Sequence, residues 1–141
     1  GHGDTMVPIP RFSTVAGIPI TEFLNSEQIE RIMQRTRNGG AEIVDLMQTA
    51  TAYYAPAASV VVIVDAIVHD KHKILPCSAY LELEYGIHNL FEGVPIKVGK
   101  CGVENIIEVK LNPEEEKALK KSADAVQDLI RLWHESSQKQ I

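Results

Sequence analysis

An imidazole held between two glycines, Gly1-His2-Gly3, precedes Asp4-Thr5-Met6-Val7-Pro8. The glycines leave the ring uncrowded and let the backbone take positive φ. The ring changes charge near neutral pH, which suits proton transfer to a small substrate. Its position alone favours an unstructured terminal histidine; the residues that follow change that reading. Asp4 reads as a turn-stabilising carboxylate rather than as the ring's charge partner. Neighbours two apart in an extended segment diverge poorly for a hydrogen bond. The segment is not a phosphate loop, because G-x-G-x-x-G fails at Met6.

Other reactive side chains have plainer explanations. His69 and His72 are three apart and could share a metal face on a helix, but Lys71 and Lys73 would repel a cation. The cluster reads as a solvated helix end, where His69 and Lys71 oppose the negative end of the dipole, and no metal site is expected. Tyr53-Tyr54 could stack on a ligand ring, with core or interface packing as the default. Lys117, Lys120 and Lys121 beside the glutamates form a solvated helix face.

These groups need elements to position them. Met6 to Ile20 mixes apolar residues with Pro8, Pro10, Pro19 and Gly17, which predicts short edge strands and turns. Asn25 caps a helix, with Glu27 in its first turn and Gln28 at the third position. Ile29, Ile32 and Met33 follow at helical spacing. Asn38-Gly39-Gly40 predicts a stop or kink before Ile43, Val44 and Met47, hence two short helices or one broken one.

The run from Pro56 to Val68 is β-branched like a strand but long like a helix, with Pro56 suited to the first helical position. Strands are expected over Ile74–Tyr85, Val94–Val98 and Val103–Lys110, with Gly86, Gly93, Gly99 and Gly102 marking turns. Asn112 and Pro113 start a last helix whose Glu114, Glu115 and Glu116 oppose its positive end. Leu119, Ala123, Val126, Ile130 and Trp133 form one apolar stripe along it. The polar tail from Ser136 is expected to fray.

With 141 residues the chain is long enough for one domain with a core, and one domain over residues 1–141 is expected. Its 45% hydrophobic and 23% charged residues are those of an ordinary globular protein, and a net charge of -5 argues against a nucleic-acid partner. No apolar run reaches the length of a membrane span, because Ser59 and Asp65 interrupt the longest. Cys77 and Cys101 read as reduced thiols, and with no sign of export a cytoplasmic protein is expected.

Two stretches, Gly1-His2-Gly3-Asp4-Thr5-Met6-Val7-Pro8 and Ser13-Thr14-Val15-Ala16-Gly17-Ile18-Pro19, resemble malate dehydrogenases of the lactate-dehydrogenase-like type. So do Arg37-Asn38-Gly39-Gly40-Ala41-Glu42-Ile43-Val44 and Thr51-Ala52-Tyr53-Tyr54-Ala55-Pro56-Ala57-Ala58-Ser59. Gly93-Val94-Pro95-Ile96 and Leu111-Asn112-Pro113-Glu114-Glu115-Glu116 continue the match in the family's order. Thr5-Met6 in place of paired serines leans to malate over lactate.

The resemblance implies a mixed α/β (α+β) fold, with antiparallel strands packed under long helices and no Rossmann domain in this chain. It implies that the run after Pro56 is a helix. It assigns His2 as the proton donor to oxaloacetate and acceptor from malate, Ala52 to the substrate pocket wall, and Pro56 to a place beside the nicotinamide of NAD. The family's nucleotide-binding half, with its glycine fingerprint, substrate-clamping arginines and ring-orienting aspartate, has no match in these residues. The chain therefore reads as a C-terminal catalytic half, inactive alone, of a homo-oligomeric enzyme. A non-catalytic oligomerisation module and a fragment of a lactate or other 2-hydroxy acid dehydrogenase are the alternatives.

Overall fold

The computed structural model describes residues 5–138. It divides into two compact units, with the boundary between Ala52 and Tyr53.

The first unit begins with a hairpin of β1 (Thr14–Val15) and β2 (Ile18–Pro19), flanked by single 3-10 turns at Pro10–Phe12 and Ile20–Glu22. Its tip, Ala16-Gly17, has φ of 50° and 84°, the pair of positive values that a tight two-residue hairpin turn requires. This is the proline-rich segment of short strands and turns expected, and its strands form a two-stranded sheet of their own.

Helix α1 (Ser26–Met47) starts as expected, on a reciprocal cap. Asn25 Oδ1 accepts from the Gln28 amide at 2.9 Å, and Gln28 Oε1 accepts from the Asn25 amide at 3.0 Å. The predicted break does not occur. One helix of 22 residues runs through Asn38-Gly39-Gly40. Two glycines cost a helix about 1 kcal/mol each relative to alanine, which weakens it without stopping it. The apolar positions stay in phase across them, and Arg35 braces the segment with two hydrogen bonds to the Glu42 carboxylate, at 2.9 and 3.1 Å. The Arg37 guanidinium, from the same helix, donates to the Met6 carbonyl at 3.3 Å.

The second unit is a three-stranded antiparallel sheet with two helices on one face. Helix α2 (Tyr54–Val68) confirms the helical reading of the β-branched run. Pro56 sits at its third position, not its first. The cost is still nil, because the first four amides of a helix have no intrahelical acceptor. Strands β3 (Lys73–Leu81), β4 (Leu90–Gly99) and β5 (Gly102–Ile106) follow in the order β3-β4-β5. Ala66 from α2 packs on Ala79, Leu81, Val94, Ile96 and Val98 to make the core. Helix α3 (Pro113–Gln138) lies against β4 as well. There the buried Ser122 hydroxyl donates to Glu92 Oε1 at 3.0 Å.

Strand boundaries moved for local reasons. Strand β3 stops at Leu81 rather than Tyr85 because the Glu84 carboxylate takes the amides of Glu82 and Leu83, at 2.8 and 3.1 Å. Glu84's own amide, together with those of Leu83 and Glu82, holds its carboxyl below the usual range. Gly93 lies inside β4 opposite Ser78 and marks no turn. The true hairpin tip is Lys100-Cys101, closed by the Gly99–Gly102 pair, with Gly102 at φ +85°. Cys77 and Cys101 are free thiols.

Pro95 occupies the central strand, a place from which proline is normally excluded. It faces Pro76 of edge strand β3 as a pair that needs no amide from either residue. On its other side Pro95 accepts from the Ile107 amide at 2.8 Å but has no N–H to return. The Tyr85 hydroxyl fills that gap, donating to the Ile107 carbonyl at 2.7 Å and accepting from the Val109 amide at 3.0 Å. Strand β5 therefore ends at Ile106, short of the expected Lys110. Burial, opposed by the Val109 amide and reinforced by Glu108, raises the Tyr85 hydroxyl above its ordinary pKa. Replacing Tyr85 by phenylalanine strips one carbonyl and one amide of their partner. Urea unfolding should show a loss of about 1–2 kcal/mol.

Helix α3 starts as predicted on Asn112, whose Oδ1 accepts from the amides of Glu114 and Glu115 at 3.0 and 2.9 Å. It continues through the serines expected to fray, and Ser136 and Ser137 Oγ donate to the Trp133 carbonyl at 2.8 and 2.9 Å. Only the first part of its apolar stripe is buried: Leu119 and Ala123 are covered, while Trp133 is 65% exposed.

Candidate functional site

His2 and Asp4, the sequence-predicted proton carrier and its turn, lie outside the described residues. Ala52 is half-buried at the end of the first unit, in the irregular link after α1. Pro56, four positions on, is exposed in the first turn of α2. Tyr53 and Tyr54 beside it are not in the core: they are 59% and 82% exposed. Helix α2 is apolar on nearly every side, and Val61 and Val68 face outward. No helix among the described residues is long and apolar enough to cross a membrane.

His69 and His72 do not share a helix face. His69 caps the end of α2, with Nδ1 3.0 Å from Asp65 Oδ1. Lys71 Nζ reaches Asp65 Oδ2 at 2.6 Å, and that bond is the chief reason the Asp65 carboxyl sits low. His72 lies beyond the helix, at φ +49°, and turns toward the other strands.

There it meets a residue the sequence reading missed. His72 Nδ1 is 2.7 Å from Glu104 Oε2, and its Nε2 is 3.5 Å from Asp70 Oδ1. Lys97 Nζ lies 3.3 Å from Glu104 and Lys100 Nζ 3.8 Å from Asp70. The His72 hydrogen bond chiefly lowers the Glu104 carboxyl. The Lys100 backbone amide, 2.9 Å from Oδ1, chiefly lowers that of Asp70. Glu104 enters this group because the β4–β5 register shifts between Lys97 and Val98, leaving it as the extra residue of a bulge. The Gly99-x-x-Gly102 spacing could have signalled the hairpin, but not the bulge.

A second polar region is a groove of about 580 Å³ whose lining includes Tyr85, His88, Glu108, Glu116, Lys120 and Asp124. Tyr85 is already committed to the backbone there, and Glu108 accepts its amide at 2.8 Å. Neither region contains a predicted catalytic residue.

The sequence profile of the lactate/malate dehydrogenase alpha/beta C-terminal domain matches residues 1–136. A malate dehydrogenase of Roseiflexus sp. (strain RS-1) is 54% identical over 130 residues, which cover 92% of this chain and 42% of the relative. One from Chlorobium phaeobacteroides (strain DSM 266) is 56% identical over 128 residues, covering 91% of this chain and 41% of the relative. The chain thus spans well under half the length of the curated relatives it matches. Among solved structures, malate dehydrogenase from Salinibacter ruber superposes with a TM-score of 0.89 at 49% identity, over 96% of this chain and 46% of that one. Lactate dehydrogenase from Eimeria maxima, solved with NADH and oxamate, reaches 0.93 at 37% identity, over 97% and 44%.

Proposed function

The chain belongs to the lactate/malate dehydrogenase family, as its alpha/beta C-terminal domain, and from that premise we propose that residues 1–141 are the substrate-handling half of an NAD-dependent malate dehydrogenase. Identity to malate dehydrogenases above 50% over some nine-tenths of the chain carries this reading. Backbone similarity does not separate the substrates, because a lactate dehydrogenase superposes as well as a malate dehydrogenase does. Thr5-Met6 and the identity above 50% to malate dehydrogenases support malate as the substrate.

In this reading His2 as imidazolium hydrogen-bonds the keto oxygen of oxaloacetate and passes it a ring-nitrogen proton. In reverse, the neutral ring takes the hydroxyl proton of malate. Ala52 forms part of the pocket wall. NADH, when bound, supplies the hydride. The described residues fit one end of that cofactor. The exposed Pro56 ring in the first turn of α2 offers an apolar surface to a flat nicotinamide. Among those residues no parallel strand–helix–strand unit offers a cradle for the phosphates, so the rest of the cofactor belongs on a nucleotide-binding half. A cytoplasmic homo-oligomer fits the family, and the outward valines of α2 support contacts of that kind.

The test is kinetic. The full-length parent should prefer oxaloacetate to pyruvate by about 10²-fold or more in kcat/KM, because a site built for a second carboxylate leaves polar groups unpaired without it. Preference for pyruvate overturns the assignment to malate.

A further inference from the structure

We propose that Asp70, His72 and Glu104 form a binding site for a first-row divalent ion of the zinc type, outside the residues assigned to the dehydrogenase reaction. One ligand atom from each can be chosen so that all lie within 4.8 Å of one another. The three come from separate places in the fold: the turn after α2, the entry to β3 and the bulge of β5. One imidazole nitrogen and two carboxylate oxygens are a donor set that suits Zn²⁺, with a fourth position left for water. Mg²⁺, which takes oxygen ligands in an octahedron, is poorly matched.

An independent feature marks the same spot. A Cβ on Gly99 would collide with Glu104 Oε1 and stand 2.9 Å from Asp70 Oδ1. Gly99 has no positive φ that would demand glycine. Glycine at this position leaves the two carboxylate ends room beside the strand. Lys97 and Lys100 balance their charge when no ion is bound. Both amines sit on exposed stems, 43% and 71% open at the side chain, and can swing into water as a cation enters. Displacing them makes the site one of modest affinity. This geometry departs from the helix-face pairing of His69 with His72 considered from spacing alone. The ligand that spacing does not reveal is Glu104.

The experiment is a Zn²⁺ titration of the purified chain in competition with a chromophoric indicator. One saturable equivalent is expected. His72→Ala and Glu104→Gln should each weaken it at least about tenfold, since even outer-shell partners are worth about 10–100-fold. His69→Ala and His88→Ala should leave it unchanged, and Mg²⁺ should not compete. Imidazole ¹⁵N spectra of the unsubstituted chain read the same site without relying on a variant's folding, and the His72 resonances should move first. Equal binding by the parent and His72→Ala overturns the proposal, as does an unmoved His72 resonance or the lack of a saturable equivalent. Each would leave the three groups as an ion-pair latch between the α2–β3 turn and the hairpin.

Discussion

Under the proposed function, a polypeptide of these 141 residues, purified alone, is expected to turn over neither oxaloacetate with NADH nor malate with NAD. In the proposed mechanism His2 supplies only a proton. The hydride donor must stand over the keto carbon while both substrate carboxylates are held, and residues with matches in this chain provide neither. Positioning of that kind is worth roughly 7–11 kcal/mol of barrier, or about 10⁵–10⁸ in rate. What remains should fall below a steady-state assay that follows NADH absorbance. The measurement is meaningful only on folded material, so circular dichroism should first show the helices α1, α2 and α3. Robust turnover by such a preparation would falsify the reading of this chain as half of a catalytic unit.

Replacing His2 by asparagine in the full-length parent should lower kcat by about 10²–10⁴, the usual worth of a positioned acid–base group. That is about 3–5.5 kcal/mol of transition-state stabilisation. NADH affinity, read by fluorescence titration, should be unchanged, because the ring is assigned to the substrate oxygen and not to the cofactor. The two directions should also differ in their response to pH. Reduction of oxaloacetate needs the imidazolium and should fall as pH rises through the histidine pKa, near 6.5 for an unperturbed ring. Oxidation of malate needs the neutral ring and should fall as pH drops through the same value. A variant that reduces oxaloacetate at the parental rate removes His2 from the mechanism.

Features governed by neighbours three or four residues apart could be read directly along the chain. The Asn25–Gln28 cap, the Asn112–Pro113 start and the 3.6-residue stripes rest on helix geometry, which is the same wherever the helix is packed. The turn at Ala16-Gly17 belongs to this class too. Family resemblance supplied His2, Ala52 and Pro56, and with them the assignment of reaction. Glycine misled where it was treated as punctuation. Gly39-Gly40 did not end α1 and Gly93 did not end β4, whereas the strand expected across Pro95 is present.

Contacts between residues distant in sequence required the folded chain. Pro95 is tolerated in β4 because a hydroxyl from Tyr85 replaces its missing amide, and only the placement of that turn beside the strand end reveals it. Glu104 meets Asp70 and His72 because one inserted residue changes the strand register. A partner three or four positions away follows from fixed backbone geometry. A partner across a sheet depends on register, and a shift of a single residue exchanges the faces its side chains present.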